Sequence, residues 1–183
     1  MRKVELNKFE GGDFDKGAGF VKQMLWYFVN AFIVRASWNP FIGIKVFFLK
    51  LFGAKIGKGL VIKNEVVVKF PWKLEIGDYC WIGENVWIDS LDHVKIGNNV
   101  CVSQGAMLLT GNHDFTLHDM PYRNAPIVLN DGVWIGAQTV VCPGVVAEEN
   151  AILTAGSVAT RKMEANSIYQ GNPAQFIKNR VVG

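Results

Sequence analysis

The side chains able to do chemistry are few. The 183-residue chain has three histidines, His93, His113 and His118, and three cysteines, Cys80, Cys101 and Cys142. A neutral imidazole can take the proton of an attacking hydroxyl near neutral pH. His113 stands in TGNHDF, at the point where the most regular pattern in the chain breaks off. A tetrahedral zinc site would need all three imidazoles on one spot. His118 lies inside the irregular stretch and His93 is 20 residues upstream of His113, which counts against a zinc enzyme of the carbonic anhydrase kind. The cysteines are far apart with no CxxC pair, so a disulfide framework is not expected and a reducing compartment is. Cys142, in VVCPGV, occupies an ordinary turn position rather than that of a nucleophile.

The pattern that His113 interrupts has a period of six. Aliphatic residues fall at Ile56, Ile62, Val68, then Ile76, Ile82, Ile88, then Ile96, Val102, Leu108. The series resumes at Leu129, Ile135, Val141, Ala147 and Leu153, so 13 of 14 register positions are Ile, Val or Leu. Small or medium residues recur four places on, at Val86, Val100, Ala106, Thr139, Ala151 and Ser157. Six fits neither an amphipathic helix nor an alternating strand. It fits a short strand plus a tight turn, three per coil, with coils stacked about 4.8 Å apart. The 20-residue recurrence is three hexapeptides plus two turn residues, assigned to Leu74-Glu75 and Val94-Lys95. The chain is therefore expected to be mainly β, a parallel β-helix solenoid over residues 53–165. It should have an N-terminal helical segment over 1–52, a protruding loop over about 114–128 and a C-terminal tail over 166–183. A rigid strand end carrying His113 beside such a loop is a sensible place for catalysis.

Composition locates the rest. Nine of the 12 Phe precede residue 53, and charged residues are only 19% of the chain, below the usual quarter or so. Residues 20–35 and 40–52 read as helices, the second with Pro40 in its first turn. This segment is expected to cap the solenoid and pack on a neighbouring subunit, with membrane contact through Trp26, Phe28 and Phe32 left open. A net charge of +3 without a basic stripe argues against nucleic acid. The polar N-terminus lacks a signal-peptide pattern, so a cytoplasmic protein is expected.

IGDYCWIGENVWI, VWIGAQTVVCPGVVAEENAILTAGSVATRKM and GNPAQFIKNR resemble the hexapeptide-repeat acyltransferases with left-handed parallel β-helices. WNPFIGIKVFFLKLFGAKIGKG is similar to the branch of colanic acid biosynthesis acetyltransferases, near the galactoside and maltose O-acetyltransferases. The resemblance implies a homotrimer with active sites between subunits, acetyl-CoA as cosubstrate and a sugar or glycan-precursor acceptor. It implies His113 as general base in direct transfer, with no metal, because coenzyme A thiolate leaves readily. Asn85, 11 residues before Ile96, matches an Asn across the acceptor pocket from the catalytic histidine. Asp89, Asp92, Tyr122 and Arg123 are acceptor candidates, and Asp114 is a candidate to orient the imidazole.

On the cofactor side, Trp134 matches a residue that packs along pantetheine, with burial in the core as the competing reading. Ala137 and Ala155-Gly156-Ser157 offer small residues for that arm. Thr160 and Arg161 replace the usual Thr-Lys facing the coenzyme A phosphates, which Lys178 and Arg180 are expected to reach as well. Asn130 and Thr154 depart from the usual Gly, and Ala147-Glu148 from an aliphatic-Gly pair. N-acetylation of an amino sugar or antibiotic, and a non-catalytic scaffold, are the remaining alternatives.

Overall fold

The computed structural model describes residues 3–183. Short strands wind into a three-faced prism. Face 1 stacks Lys55–Ile56, Leu74–Ile76, Val94–Ile96, Ile127–Leu129 and Val146–Ala147, all parallel. Face 2 stacks Val61–Ile62, Trp81–Ile82, Cys101–Val102, Trp134–Ile135 and Ile152–Leu153. A terminal hairpin, Ser167–Gly171 with Ala174–Asn179, extends face 2, so the tail is strand rather than loose chain. Face 3 stacks Val67–Val68, Trp87–Asp89, Met107–Leu109, Val140–Val141 and Val158–Ala159.

The six-residue period is the perimeter of this prism. Register pairs align Ile56 with Ile76 and Ile96, Ile62 with Ile82 and Val102, and Val68 with Ile88 and Leu108. Each of these side chains points inward and is buried, as are Val86, Val100, Ala106, Thr139, Ala151 and Ser157 beside the corners. Corners turn through a left-handed residue: Tyr79, Asn99 and Asn150 where face 1 meets face 2, and Glu65, Asn85 and Gln138 where face 2 meets face 3. Only Gly fits just before some corners. A Cβ on Gly136 would lie 2.6 Å from the Ala155 nitrogen of the next coil.

The corner from face 3 to face 1 absorbs the extra residues. Leu74 and Val94 are buried strand residues, not turn insertions; the additions lie before them, in Phe70–Lys73 and Ser90–His93. In the third coil the same corner opens into the long excursion that carries His113.

The N-terminal segment is helical only in part. Residues 3–19 run as an irregular strap with one short turn, Leu6–Lys8. Helix α1 covers Phe20–Val29 and continues as a π-helical turn, Asn30–Val34, closed by the Arg35 amide on the Asn30 carbonyl at 2.8 Å. The wider turn brings Val34 back to the side of Trp26, so both are buried against the first coil. Helix α2 covers Ile42–Leu51; Pro40 precedes its cap residue, Phe41, instead of lying in the first turn. Lys45 reaches from α2 into the first coil and is fully buried, donating to the Lys63 carbonyl (3.1 Å) and Asn64 Oδ1 (2.6 Å). Trp26, read as a membrane contact, instead donates its indole N–H to the Val68 carbonyl and is 3% exposed.

Candidate active site

The excursion after Leu109 is a hairpin. Its legs are joined by Ala125 N–H to the Thr110 carbonyl, Arg123 N–H to Asn112 and Asp114 N–H to Pro121, which sets His113 directly opposite Tyr122. His113 Nδ1 lies 2.6 Å from the Met120 carbonyl oxygen. A carbonyl only accepts, so Nδ1 carries the hydrogen and Nε2 presents its lone pair. The Tyr122 ring stacks on the imidazole at 4.9 Å, and Phe9 of the strap meets both rings edge-on, at 5.8 and 5.3 Å. Phe14 packs on the other side of Tyr122 at 4.7 Å. One backbone acceptor and two aromatic rings hold a single histidine nitrogen ready to accept a proton.

Asp114 does not orient that ring. Its Oδ1 accepts from the Thr116 amide and hydroxyl, which hold its carboxyl below the usual carboxylate range. The Met120 carbonyl does the orienting. Asp92, Tyr122 and Arg123 do come together, around a cavity of about 450 Å³ beside the hairpin. Asp13, Asp15 and Lys73 complete its polar wall, and the Tyr122 ring gives it an aromatic side. The Lys73 ammonium donates to the Asp15 and Leu91 carbonyls, both at 2.6 Å. Burial pushes its pKa down, with Asp92 and Asp15 opposing. Carboxylates, cations and an aromatic plane in one cavity suit a polyhydroxyl ligand. Asp89 does not line this cavity: it is buried, and its Oδ1 lies 3.1 Å from the Lys69 ammonium, off hydrogen-bonding geometry. Gly111 leaves room for this carboxylate, since a Cβ there would stand 2.9 Å from Oδ2.

Asn85 is elsewhere. It forms the left-handed corner between faces 2 and 3, while His113 leaves the corner between faces 3 and 1, so face 3 separates them within one chain. Asn85 instead lines a second cavity, of about 790 Å³, with Phe32, Trp38, Trp87 and Met107.

The coenzyme candidates divide in the same way. Trp134 stands outward on face 2, 46% exposed, with its indole N–H on Ser103 Oγ at 3.0 Å; it is not a core residue. Ala137 and Gly156 stack at the corner between faces 2 and 3, joined by the Gly156 amide at 2.9 Å. Ala155 is exposed, and nothing lies within 4 Å of where a Gly156 Cβ would point, so this edge is open. Ser157 is different: it is 1% exposed, and its hydroxyl meets Thr154 Oγ1 and accepts the Gly171 amide. Thr160 and Arg161 are exposed at the last corner from face 3 to face 1, and Lys178 is exposed on the terminal hairpin. Arg180 does not join them. Its Nη1 donates to the Gly132 and Asn150 carbonyls at 3.0 and 3.1 Å, tying the tail to the corner between faces 1 and 2.

Burial raises the Cys142 thiol above its ordinary pKa, the wrong direction for a nucleophile. The histidines do not gather: among the described residues no three His, Cys, Asp or Glu stand close enough to hold a metal ion. Phe9, Phe14, Asp13, Asp15 and Lys73 were not among the sequence candidates. For the strap residues the signal available was GGDFDKGAG, a polar stretch too rich in Gly and Asp to be helix.

Triangular parallel coils, broken once by a hairpin that presents a fixed histidine, define a β-helix protein of the hexapeptide-repeat class. The acetyltransferase WcaF of Escherichia coli K12, named for colanic acid biosynthesis, is 36% identical to this chain over 168 residues, 91% of each. The galactoside O-acetyltransferase of the same organism is 28% identical over 130 residues, 68% of this chain and 63% of that one. A hexapeptide-repeat acetyltransferase of Vibrio cholerae O1 biovar eltor, solved with acetyl coenzyme A, superposes with a TM-score of 0.84. The match covers 95% of this chain and 96% of that one at 19% identity, a likeness of fold. No protein-family model matches the chain. The chain belongs to the hexapeptide-repeat acetyltransferase family.

Proposed function

We propose that this protein transfers the acetyl group of acetyl-CoA to a sugar hydroxyl of a surface or exopolysaccharide precursor, with His113 as general base. The observation that carries this reading is the Nδ1 contact with Met120, which leaves Nε2 as the basic nitrogen. The acceptor hydroxyl gives its proton to Nε2 while its oxygen attacks the thioester carbonyl carbon. Backbone N–H groups of a neighbouring coil stabilise the tetrahedral oxyanion. Collapse breaks the carbon–sulfur bond, and the imidazolium returns the proton to the departing coenzyme A thiolate. No acyl-enzyme forms. The polar cavity around Asp92, Tyr122 and Arg123 supports a sugar acceptor. The relatives that act on, or are named for, glycan substrates point the same way. Acetyl-CoA bound to the Vibrio cholerae protein supports the cosubstrate. The open edge at Ala137, Ala155 and Gly156, with exposed Trp134, Thr160, Arg161 and Lys178, would hold it.

The assembly we infer is a homotrimer with sites between subunits. The outward rows of faces 2 and 3 are apolar, with Trp81, Cys101 and Trp134 on one and Val67, Trp87 and Met107 on the other, whereas face 1 shows Lys55, Glu75 and Lys95. Rows of this kind suit contact between copies. Asn85 would then serve a site built with a neighbour's hairpin. The three unpaired cysteines suit the cytoplasm. The test is release of free thiol from acetyl-CoA across a panel of free, nucleotide-linked and lipid-linked sugars. Turnover with at least one of them is expected, and acetyl-CoA bound without turnover on any sugar would refute the acceptor class.

A further inference from the structure

Residues 16–64 contain eight Lys or Arg and no Asp or Glu, so all 16 acidic residues of the chain lie outside this stretch with the other 11 cations. Inside it, α1 and α2 bury one side against the first coil, through Trp26, Lys45 and Leu49, and turn an aromatic side outward. Phe20, Tyr27, Phe28, Phe41 and Phe47 are each more than half exposed. Lys50, on α2, is exposed as well. Isolated apolar residues on a surface need no explanation, but two adjoining helices that both expose aromatics do.

A second copy of the chain is the poorer occupant. The apolar rows where copies would pack belong to faces 2 and 3, and it is the π-helical turn after α1, not α1 or α2, that lines the face-3 cavity with Trp87 and Met107. The two helices carry no Asp or Glu, and of their three lysines Lys50 is exposed, Lys22 half-buried and Lys45 buried, so the chemistry that complements their outward faces is apolar and negatively charged together. An anionic bilayer surface has both properties: acyl chains for the rings and headgroup charge for the cations. No helix among the described residues is long and apolar enough to cross a membrane. Two ten-residue helices instead have the dimensions to lie in the headgroup zone.

We propose that the outward faces of α1 and α2 seat this protein on an anionic lipid surface. This rests on exposure and charge alone and stands apart from the acetyl-transfer reading. The test is co-sedimentation of the full chain with vesicles of phosphatidylcholine alone or of equal parts phosphatidylcholine and phosphatidylglycerol. Binding to the mixed vesicles should be at least ~10-fold tighter and should weaken with salt. Phe28→Ser with Phe47→Ser should weaken it by at least ~10-fold. Lys50→Glu should weaken it several-fold. Both variants should keep the wild-type mass in solution and the wild-type melting temperature, since these side chains are exposed. No partition into mixed vesicles would overturn the proposal. So would a Phe28→Ser/Phe47→Ser protein of smaller assembled mass, which would assign the face to contact between copies.

Discussion

The rings of His113 and Tyr122 lie nearly parallel, 27° apart with centroids at 4.9 Å, across the two legs of the hairpin that leaves the third coil. The backbone pairing fixes the distance, and Met120 at the hairpin tip fixes the rotation by accepting from Nδ1. A base so held meets its substrate without first searching rotamers.

Tyr122 should therefore act through its ring. Tyr122→Phe keeps the stack and should keep kcat within about twofold. Tyr122→Ala should lower kcat by up to about tenfold, the scale of an aromatic pair. Steady-state kinetics separate this from an acceptor contact through the phenol, for which Tyr122→Phe would raise KM for the sugar.

Arg180 should contribute stability and not coenzyme affinity. Its guanidinium satisfies two carbonyls of stacked corners, and losing such charge-assisted bonds costs about 1.5–3 kcal/mol. Denaturant unfolding of Arg180→Ala should show that loss while KM for acetyl-CoA stays unchanged. Arg161→Ala should do the opposite, raising KM with little effect on stability.

Lys45 bridges α2 to the first coil from a fully buried position. Lys45→Ala strands the Lys63 carbonyl and Asn64 Oδ1, at a cost of about 1–3 kcal/mol before lost packing is counted. Thermal melting followed by tryptophan fluorescence should report it, since Trp26 sits in the same cap.

Acid should weaken the stack at Asp131. Its carboxylate accepts the Asn98 amide at 2.7 Å and the Asn98 side chain at 3.1 Å, bonds that lower its pKa in the folded chain. A depressed folded pKa adds stability that is complete above the unfolded value and is lost as pH falls through the folded one. Melting curves of wild type and Asp131→Asn should keep a constant gap from neutrality down to about pH 4. Below that, wild type should lose the advantage. A gap that widens on acidification would contradict the assignment.

The periodic part of this molecule was readable because every inward position asks for the same chemistry. Ile56, Ile82 and Leu108 are interchangeable floors of one shaft, so period alone reveals them. Corners carry no such address. Asn85, Asn99 and Asn150 all take the left-handed turn position, and sequence says that each is a corner without saying which of the three. Spacing therefore does not show that, within one chain, face 3 lies between Asn85 and His113. The register of the long corner escaped for a similar reason, since buried Leu74 and Val94 read equally well as turn residues or strand. Contacts of the strap were invisible: Phe9 meets His113 across more than half the chain, and nothing periodic links them. Arg180, read as a phosphate ligand from its charge, is taken up by carbonyls whose position only the stacked corners define.

The central claim, that His113 Nε2 removes the acceptor proton, is tested most directly by single-turnover thiol release with His113→Ala and a sugar accepted by the wild type. A general base contributes about 10²–10⁴-fold. Turnover should fall at least ~100-fold while acetyl-CoA affinity, measured by calorimetry, stays within about threefold. Turnover that survives the substitution, with acetyl-CoA bound as in the wild type, would contradict it.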